Sequence, residues 1–167
     1  IREIDLAKQG KDAYIILKMN SLQDKDMIKL LYRASNAGVQ IRLLIRGICS
    51  LVAGIKGQSE NIYVTSIVDR FLEHGRVYIF GNDGDEQLYF GSADWMTRNL
   101  NHRIEVVTPV FDKKLKQIVR ELIDIQLNDN VKARVIDADQ KNLYVQNDKK
   151  PVQAQLDTYE YFKKLSE

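Results

Sequence analysis

The chain has 167 residues, with 25 basic against 23 acidic side chains and a formal net charge of +2. That length suits one domain with a full hydrophobic core, burying about 70% of the surface an unfolded chain exposes. The near-balance of charge excludes a bulk nucleic-acid surface or an electrostatic membrane anchor, so no nucleic-acid partner is expected and any anion site has to be a local cluster.

Ile1, Ile4, Leu6 and Ala7 share one side of a stretch that stops at Gly10, the pattern of a short helix. AYIILKM (13–19) is a continuous apolar run bounded by polar residues, predicted to be a buried strand. DKDMIKLLYRASNAG (24–38) opens on Asp24, places Met27, Leu30, Leu31, Ala34 and Ala37 at helical spacing and stops at Gly38. VQIRLLI (39–45) is the next strand, so the three segments form a βαβ unit with parallel strands and a helix-covered sheet. RGICSLVAGIKGQSEN (46–61) has glycines and no period, and reads as a long loop of the kind that carries function in compact domains.

NIYVTS (61–66) is predicted as a strand, VDRFLEH (68–74) as a helical turn and RVYIFG (76–81) as a strand. GNDGDE makes a turn, and QLYFGS (87–92) returns as the second strand of a hairpin. RIEVVTPVF (103–111) is a further strand, and DKKLKQIVRELIDIQL (112–127) is an amphipathic helix with a solvated charged face. KARVID reads as an edge strand, and PVQAQLDTYEYFKKLS (151–166) as a terminal helix with Pro151 near its start. The sum is one α/β domain over 1–167, a mixed and mostly parallel sheet flanked by helices.

The lone cysteine, Cys49, allows no internal disulfide framework and points to a reducing cytoplasm. No apolar run approaches the ~20 residues of a membrane span. The start IREIDLAKQG has neither a signal-peptide pattern nor an initiator methionine, which points to a domain of a longer chain. Cys49 stands among Ile48 and Leu51 and reads as a buried thiol. Trp95 reads as core, and the aspartates of GNDGDE lack calcium-loop spacing, so no metal ligands are expected.

In open α/β sheets, ligands sit beyond the carboxyl ends of the strands. Arg46 falls there, directly before Gly47, and offers a planar donor fork suited to phosphate. Lys18 and Asn20 end the preceding strand in the equivalent place, a weaker signal. His74, one of two histidines, could donate to a phosphate oxygen or attack phosphorus. A histidine that only satisfies its surroundings is the bland alternative.

His74 is followed by Arg76, then by GSADWMTRN (91–99), then by Glu105. That order resembles a phospholipase-D superfamily half-site, HxK followed by a GSxN-like element and a downstream acid, in which the histidine is the nucleophile or the acid–base group. Arg76 stands for the lysine, Gly81 for an aspartate and Asp94 for the asparagine of GSxN. KMNSL, LIRGICSL, SIVDRFLEH, SADWMTRNL and RIEVVTPV, in that order, resemble the C-terminal phospholipase-D-like domain of the polyphosphate kinase family over nearly the whole chain.

The resemblance implies reversible transfer of the ATP γ-phosphate to inorganic polyphosphate through a phosphohistidine on a preceding, paired domain. It implies Mg2+ ligands outside this chain and ATP, ADP and polyphosphate as partners. It further implies a homo-oligomeric full-length enzyme, cytoplasmic or peripherally membrane-associated, with this fragment alone inactive. Onto this sequence it carries Arg46 and His74 as contacts to the nucleotide phosphates, with His74 in an acid–base role. Arg76 and Arg98 follow as second-rank candidates for phosphate contact or for holding carboxylates in place, and Asp94 and Glu105 as carboxylates that orient His74 or the arginines or else form structural ion pairs. The competing reading is half of a phosphodiesterase or nuclease with His74 as nucleophile.

Overall fold

A computed structural model describes residues 1–166. The elements in chain order are α1 (Arg2–Lys8), β1 (Tyr14–Met19), α2 (Lys25–Asn36), β2 (Gln40–Ile45), β3 (Ile62–Ile67) and β4 (Arg76–Phe80). After them come β5 (Gln87–Gly91), α3 (Thr97–His102), β6 (Val107–Pro109), α4 (Lys113–Leu127), β7 (Ala133–Val135) and α5 (Ala154–Ser166). The seven strands form one sheet in the order β6-β5-β4-β1-β2-β3-β7.

The expected mixed α/β sheet is present, but its parallel part is smaller than predicted. Only β1–β2 and β2–β3 run parallel, while β1–β4, β4–β5, β5–β6 and β3–β7 are antiparallel. Parallel neighbours need a long crossover: α2 supplies it between β1 and β2 and the loop over 46–61 between β2 and β3, whereas the later strands are joined by connections that return antiparallel.

Alternation along β1 and β2 sorts side chains to two layers. Ile15, Leu17 and Met19 with Ile41, Leu43 and Ile45 pack against Ile4 and Leu6 of α1 and Ile28, Leu31 and Ala34 of α2. Ile16 and Leu44 face the other way, against Ile123 of α4. Asp24 caps α2, its Oδ1 accepting from the Asp26 and Met27 amides at 3.1 and 3.0 Å. Its Oδ2 accepts from Thr97 Oγ1 at 2.9 Å, which ties the start of α3 to the start of α2.

The structure differs from expectation at three further places. Residues 68–74 are not a helical turn. Val68, Phe71 and Leu72 have helical spacing, yet they are 68, 62 and 75% exposed, so no packing partner stabilises a helix there. The strand expected over 103–111 shrinks to the three residues of β6 at the sheet edge, where Pro109 lacks a donor. Helix α3, which begins within the GSADWMTRN segment and runs on to His102, had no foretelling signal, because its N-cap is Met96 and no side chain caps it.

A Cβ at Gly91 would stand 2.5 Å from Cε2 of Tyr78 and 2.6 Å from its hydroxyl. That ring is buried, donates to the Ala93 carbonyl at 2.6 Å and stacks on Trp95 with centroids 5.9 Å apart. Gly91→Ala is therefore expected to displace the ring and lower stability by about 1–3 kcal/mol. A fall in the urea midpoint at unchanged slope is the measurement.

Candidate active site

Strand register decides which loops meet. Met19 at the end of β1 pairs with Ile45 at the end of β2, so Asn20 and Arg46 leave the sheet side by side. Strand β4 runs antiparallel to β1, with Val77 opposite Lys18, so its beginning lies at the same rim. Had β4 been parallel, His74 would enter at the far edge. Gly91, at the end of β5, pairs with Arg76, so the segment carrying Asp94 leaves from that rim too.

The imidazole and the guanidinium are joined by one amide. Asn20 Oδ1 accepts from Arg46 Nε at 3.2 Å and Nη2 at 3.0 Å. Its Nδ2 faces His74 Nδ1 at 3.2 Å. With the amide oxygen held by Arg46, the amide nitrogen can only donate, so Nδ1 accepts and the neutral ring carries its proton on Nε2. Asn20 is 8% exposed, Arg46 is half-buried and His74 is exposed. No carboxylate stands within ion-pair distance of Arg46 among the described residues. Arg46 is therefore not a surface charge matched to an acidic partner among the described residues.

Arg76 and Asp94 build the support beneath. Arg76 Nη2 meets Asp94 Oδ2 at 2.9 Å, both residues buried. Arg76 Nη1 donates to the His74 carbonyl at 2.6 Å and so fixes the backbone that carries the imidazole. Asp94 Oδ1 accepts from the amides of Asn20 at 2.8 Å and Ser21 at 3.1 Å, fixing the backbone that carries the bridging amide. Burial alone would raise the Asp94 carboxyl. Hydrogen bonds from Arg76, Ser21 and Asn20, with the Arg76 charge, outweigh it and hold the group below the ordinary carboxylate range. Arg76 is thus committed to the scaffold and not free for phosphate.

The other expected residues divide. Lys18 lies at the rim, but its ammonium is taken up by Glu73 and by Gln126 Oε1 at 2.7 Å. Glu105 does not reach His74: its carboxylate accepts from Ser92 Oγ and from Asn99 Nδ2 at 2.6 Å, and these bonds lower it. Arg98 is exposed on α3 and stands outside the Arg46–Asn20–His74 chain. Cys49 is half-buried, and burial raises its thiol, consistent with an inert group. The hollow beneath Arg46, lined also by Lys18, Asn20, Leu44 and Gln126, measures about 20 Å³. It admits a single water, so a phosphate would have to sit on the open side where Arg46 and His74 are accessible.

The sequence profile described as polyphosphate kinase C-terminal domain 2 matches residues 1–155. The chain belongs to the polyphosphate kinase family. Polyphosphate kinases of Salmonella typhimurium and Vibrio parahaemolyticus are 53% identical over 167 residues and 54% identical over 164. These alignments cover 99 and 98% of this chain but 24% of each relative, so the chain spans about a quarter of their length. The crystal structure of polyphosphate kinase from Porphyromonas gingivalis matches with a TM-score of 0.95 at 51% identity, over 98% of this chain and 25% of that one. The phospholipase D family member Nuc from Salmonella typhimurium matches at 0.57 and 17% identity, over 81% of this chain and 88% of that one. The phospholipase-D-like fold expected from HGR and GSADW is thus present.

Within this polyphosphate kinase domain, the departures from the superfamily pattern have physical reasons. Arg76 and Asp94, the arginine and aspartate at those positions, form one bidentate pair with each other. At Gly81, a Cβ would meet the Tyr14 ring at 2.6 Å, leaving no room for an aspartate side chain.

Proposed function

We propose that this domain supplies the phosphate-clamping half of a polyphosphate kinase active site, transferring the ATP γ-phosphoryl group reversibly to polyphosphate. The observation that carries the reading is the Arg46–Asn20–His74 chain, which presents an arginine without a carboxylate partner among the described residues beside an exposed histidine whose Nδ1 faces the Asn20 amide. Family membership supports the same direction.

On this reading a histidine of a preceding domain attacks the γ-phosphorus through a neutral ring nitrogen, and ADP departs with the bridging oxygen. The terminal phosphate oxygen of the polymer then attacks the phosphohistidine, and the imidazole leaves. Arg46 offsets charge on the phosphate oxygens, its fork held at one edge by Asn20. His74 donates from Nε2 to the departing or entering phosphate oxygen. Positioning dominates, because phosphoryl transfer asks for little covalent chemistry from the protein.

Mg2+ would neutralise phosphate charge, but this rim does not offer it a ligand set. Glu73 is paired with Lys18, Asp94 with Arg76, and Glu105 with Ser92 and Asn99. No group of three or more metal-ligating side chains occurs among the described residues. On this reading its ligands come from the rest of the full-length chain. No helix among the described residues is long and apolar enough to cross a membrane.

The test uses the full-length protein and γ-labelled ATP. His74→Ala is expected to slow polymer synthesis about 10²-fold while labelled phosphoenzyme still forms, because the phosphorylated histidine lies elsewhere. Label on His74 itself, or hydrolysis of a generic phosphodiester, would replace this reading with the phosphodiesterase one.

A further inference from the structure

The loop that carries His74 lacks the usual means of holding its place. Residues 68–75 have no regular secondary structure and make none of the backbone-to-backbone hydrogen bonds found in the other turns and loops. Val68, Phe71 and Leu72 are largely exposed, so no apolar anchor fixes the segment either. Its position rests on side-chain hydrogen bonds.

Most of those come from one place, the start of α5. Gln155 Oε1 accepts from the Phe71 amide at 2.8 Å, and Gln155 Nε2 donates to the Phe71 carbonyl at 2.8 Å and to Glu73 Oε1 at 3.2 Å. Gln153 Nε2 donates to Asp69 Oδ2 at 2.7 Å. The helix start is itself fixed from below. Asp129 is 2% exposed, and its Oδ2 accepts from the Ala154 amide at 2.7 Å. Its Oδ1 accepts from the amides of Val131, Lys132 and Ala133 at 2.7–3.0 Å.

A primary amide is suited to this task. It meets a backbone N–H and a C=O of the same residue with its two ends, as a neighbouring strand would, and keeps a second N–H for Glu73. A carboxylate at 155 would lose both donations and oppose Glu73.

We propose that Gln155 is a positioning residue for His74, bracing the 69–75 loop so that the imidazole stays against Asn20. The inference rests on the proposed role of His74. It is tested in the full-length protein by a double-mutant cycle and by hydrogen exchange. Gln155→Ala is expected to lower kcat about tenfold with KM for ATP within about twofold, since a displaced catalytic group acts in the transition state. Amide exchange at Phe71, whose N–H is held by Gln155 Oε1, is expected to quicken about tenfold while β1 and β2 are unchanged. In the His74→Ala background, Gln155→Ala is expected to change kcat less than about twofold, because the two residues act through one group. Gln155→Glu should behave like the alanine variant.

Full additivity of the two losses, or unchanged exchange at the Phe71 amide, would overturn the bracing role. Should His74→Ala leave the rate intact, the role of His74 itself falls instead. The loop-exchange result then still reports whether the brace exists.

Discussion

Arg46→Ala in the full-length protein is expected to slow transfer from ATP to polyphosphate about 10³-fold while shifting thermal unfolding by less than about 2 °C. An arginine aimed at a transferring phosphoryl group carries transition-state stabilisation of that order in phosphotransferases generally. The fold does not depend on it in the same way. Arg46 is half-buried, makes no ion pair among the described residues, and bonds by its side chain only to Asn20 Oδ1, which lies at the rim. Arg46→Lys is expected to recover no more than about tenfold of the loss. An ammonium restores charge but cannot bond Asn20 through Nε and Nη2 while presenting a second edge to phosphate. Steady-state assays of polymer synthesis with calorimetry on the same preparations decide the matter. A rate loss matched by an equal loss of stability would make Arg46 part of the scaffold.

Asp94→Ala is expected to have the reverse profile in its first-order effect, destabilising the domain by about 3–5 kcal/mol. The change strands the buried Arg76 guanidinium and leaves the Asn20 and Ser21 amides without their acceptor. For a domain of this size that corresponds to a fall in melting temperature on the order of 10 °C. Activity falls too, but as a consequence, since the same carboxylate positions both Asn20 and, through Arg76, the His74 backbone. The pH dependence separates this from a packing defect. The Asp94 carboxyl is held low in the folded state, so its stabilisation is fully present above the ordinary aspartate value of about 3.9 and is lost as pH falls through the lower folded value. The wild-type and Asp94→Ala stability curves should therefore run parallel near neutrality and converge only below about pH 4. Convergence already at pH 6 would assign the effect to another group.

Much of the architecture was legible because apolar spacing is written locally. The buried run of β1, the Asp24-capped α2 and the amphipathic α4 all follow from residues within one element. The same logic misled at 68–74, where Val68, Phe71 and Leu72 have the spacing of a helical face but no surface to bury it against. Strand direction was not written locally either, and that is why the sheet came out less parallel than expected. Arg46 and His74 stand out as candidates through the strand-end rule and the resemblance. Asn20 was visible as a rim residue but its bridging role was not, because it depends on β4 arriving antiparallel. Gln153 and Gln155 gave no signal at all. Glutamines on a terminal helix look like solvated surface until the 68–75 loop is found lying against them. Arg76 and Asp94 occupy each other in an ion pair, one of the roles expected of each, and that pairing joins the start of β4 to the segment after β5.

The reversed entry of β4 also bears on the order in which the molecule assembles. The amide-to-imidazole contact closes a separation of 54 residues, and the Asp94 clamp on Asn20 closes one of 74. The β1–α2–β2 unit, whose Arg46–Asn20 contact spans only 26 residues, can form well before either. Long-range closures of this kind are slow, because chain entropy is lost before the contact repays it. A nascent chain would thus hold a folded βαβ nucleus for some time with Arg46 and Asn20 already joined, and the contact to His74 would be completed only with the final docking of the β4–β5 hairpin.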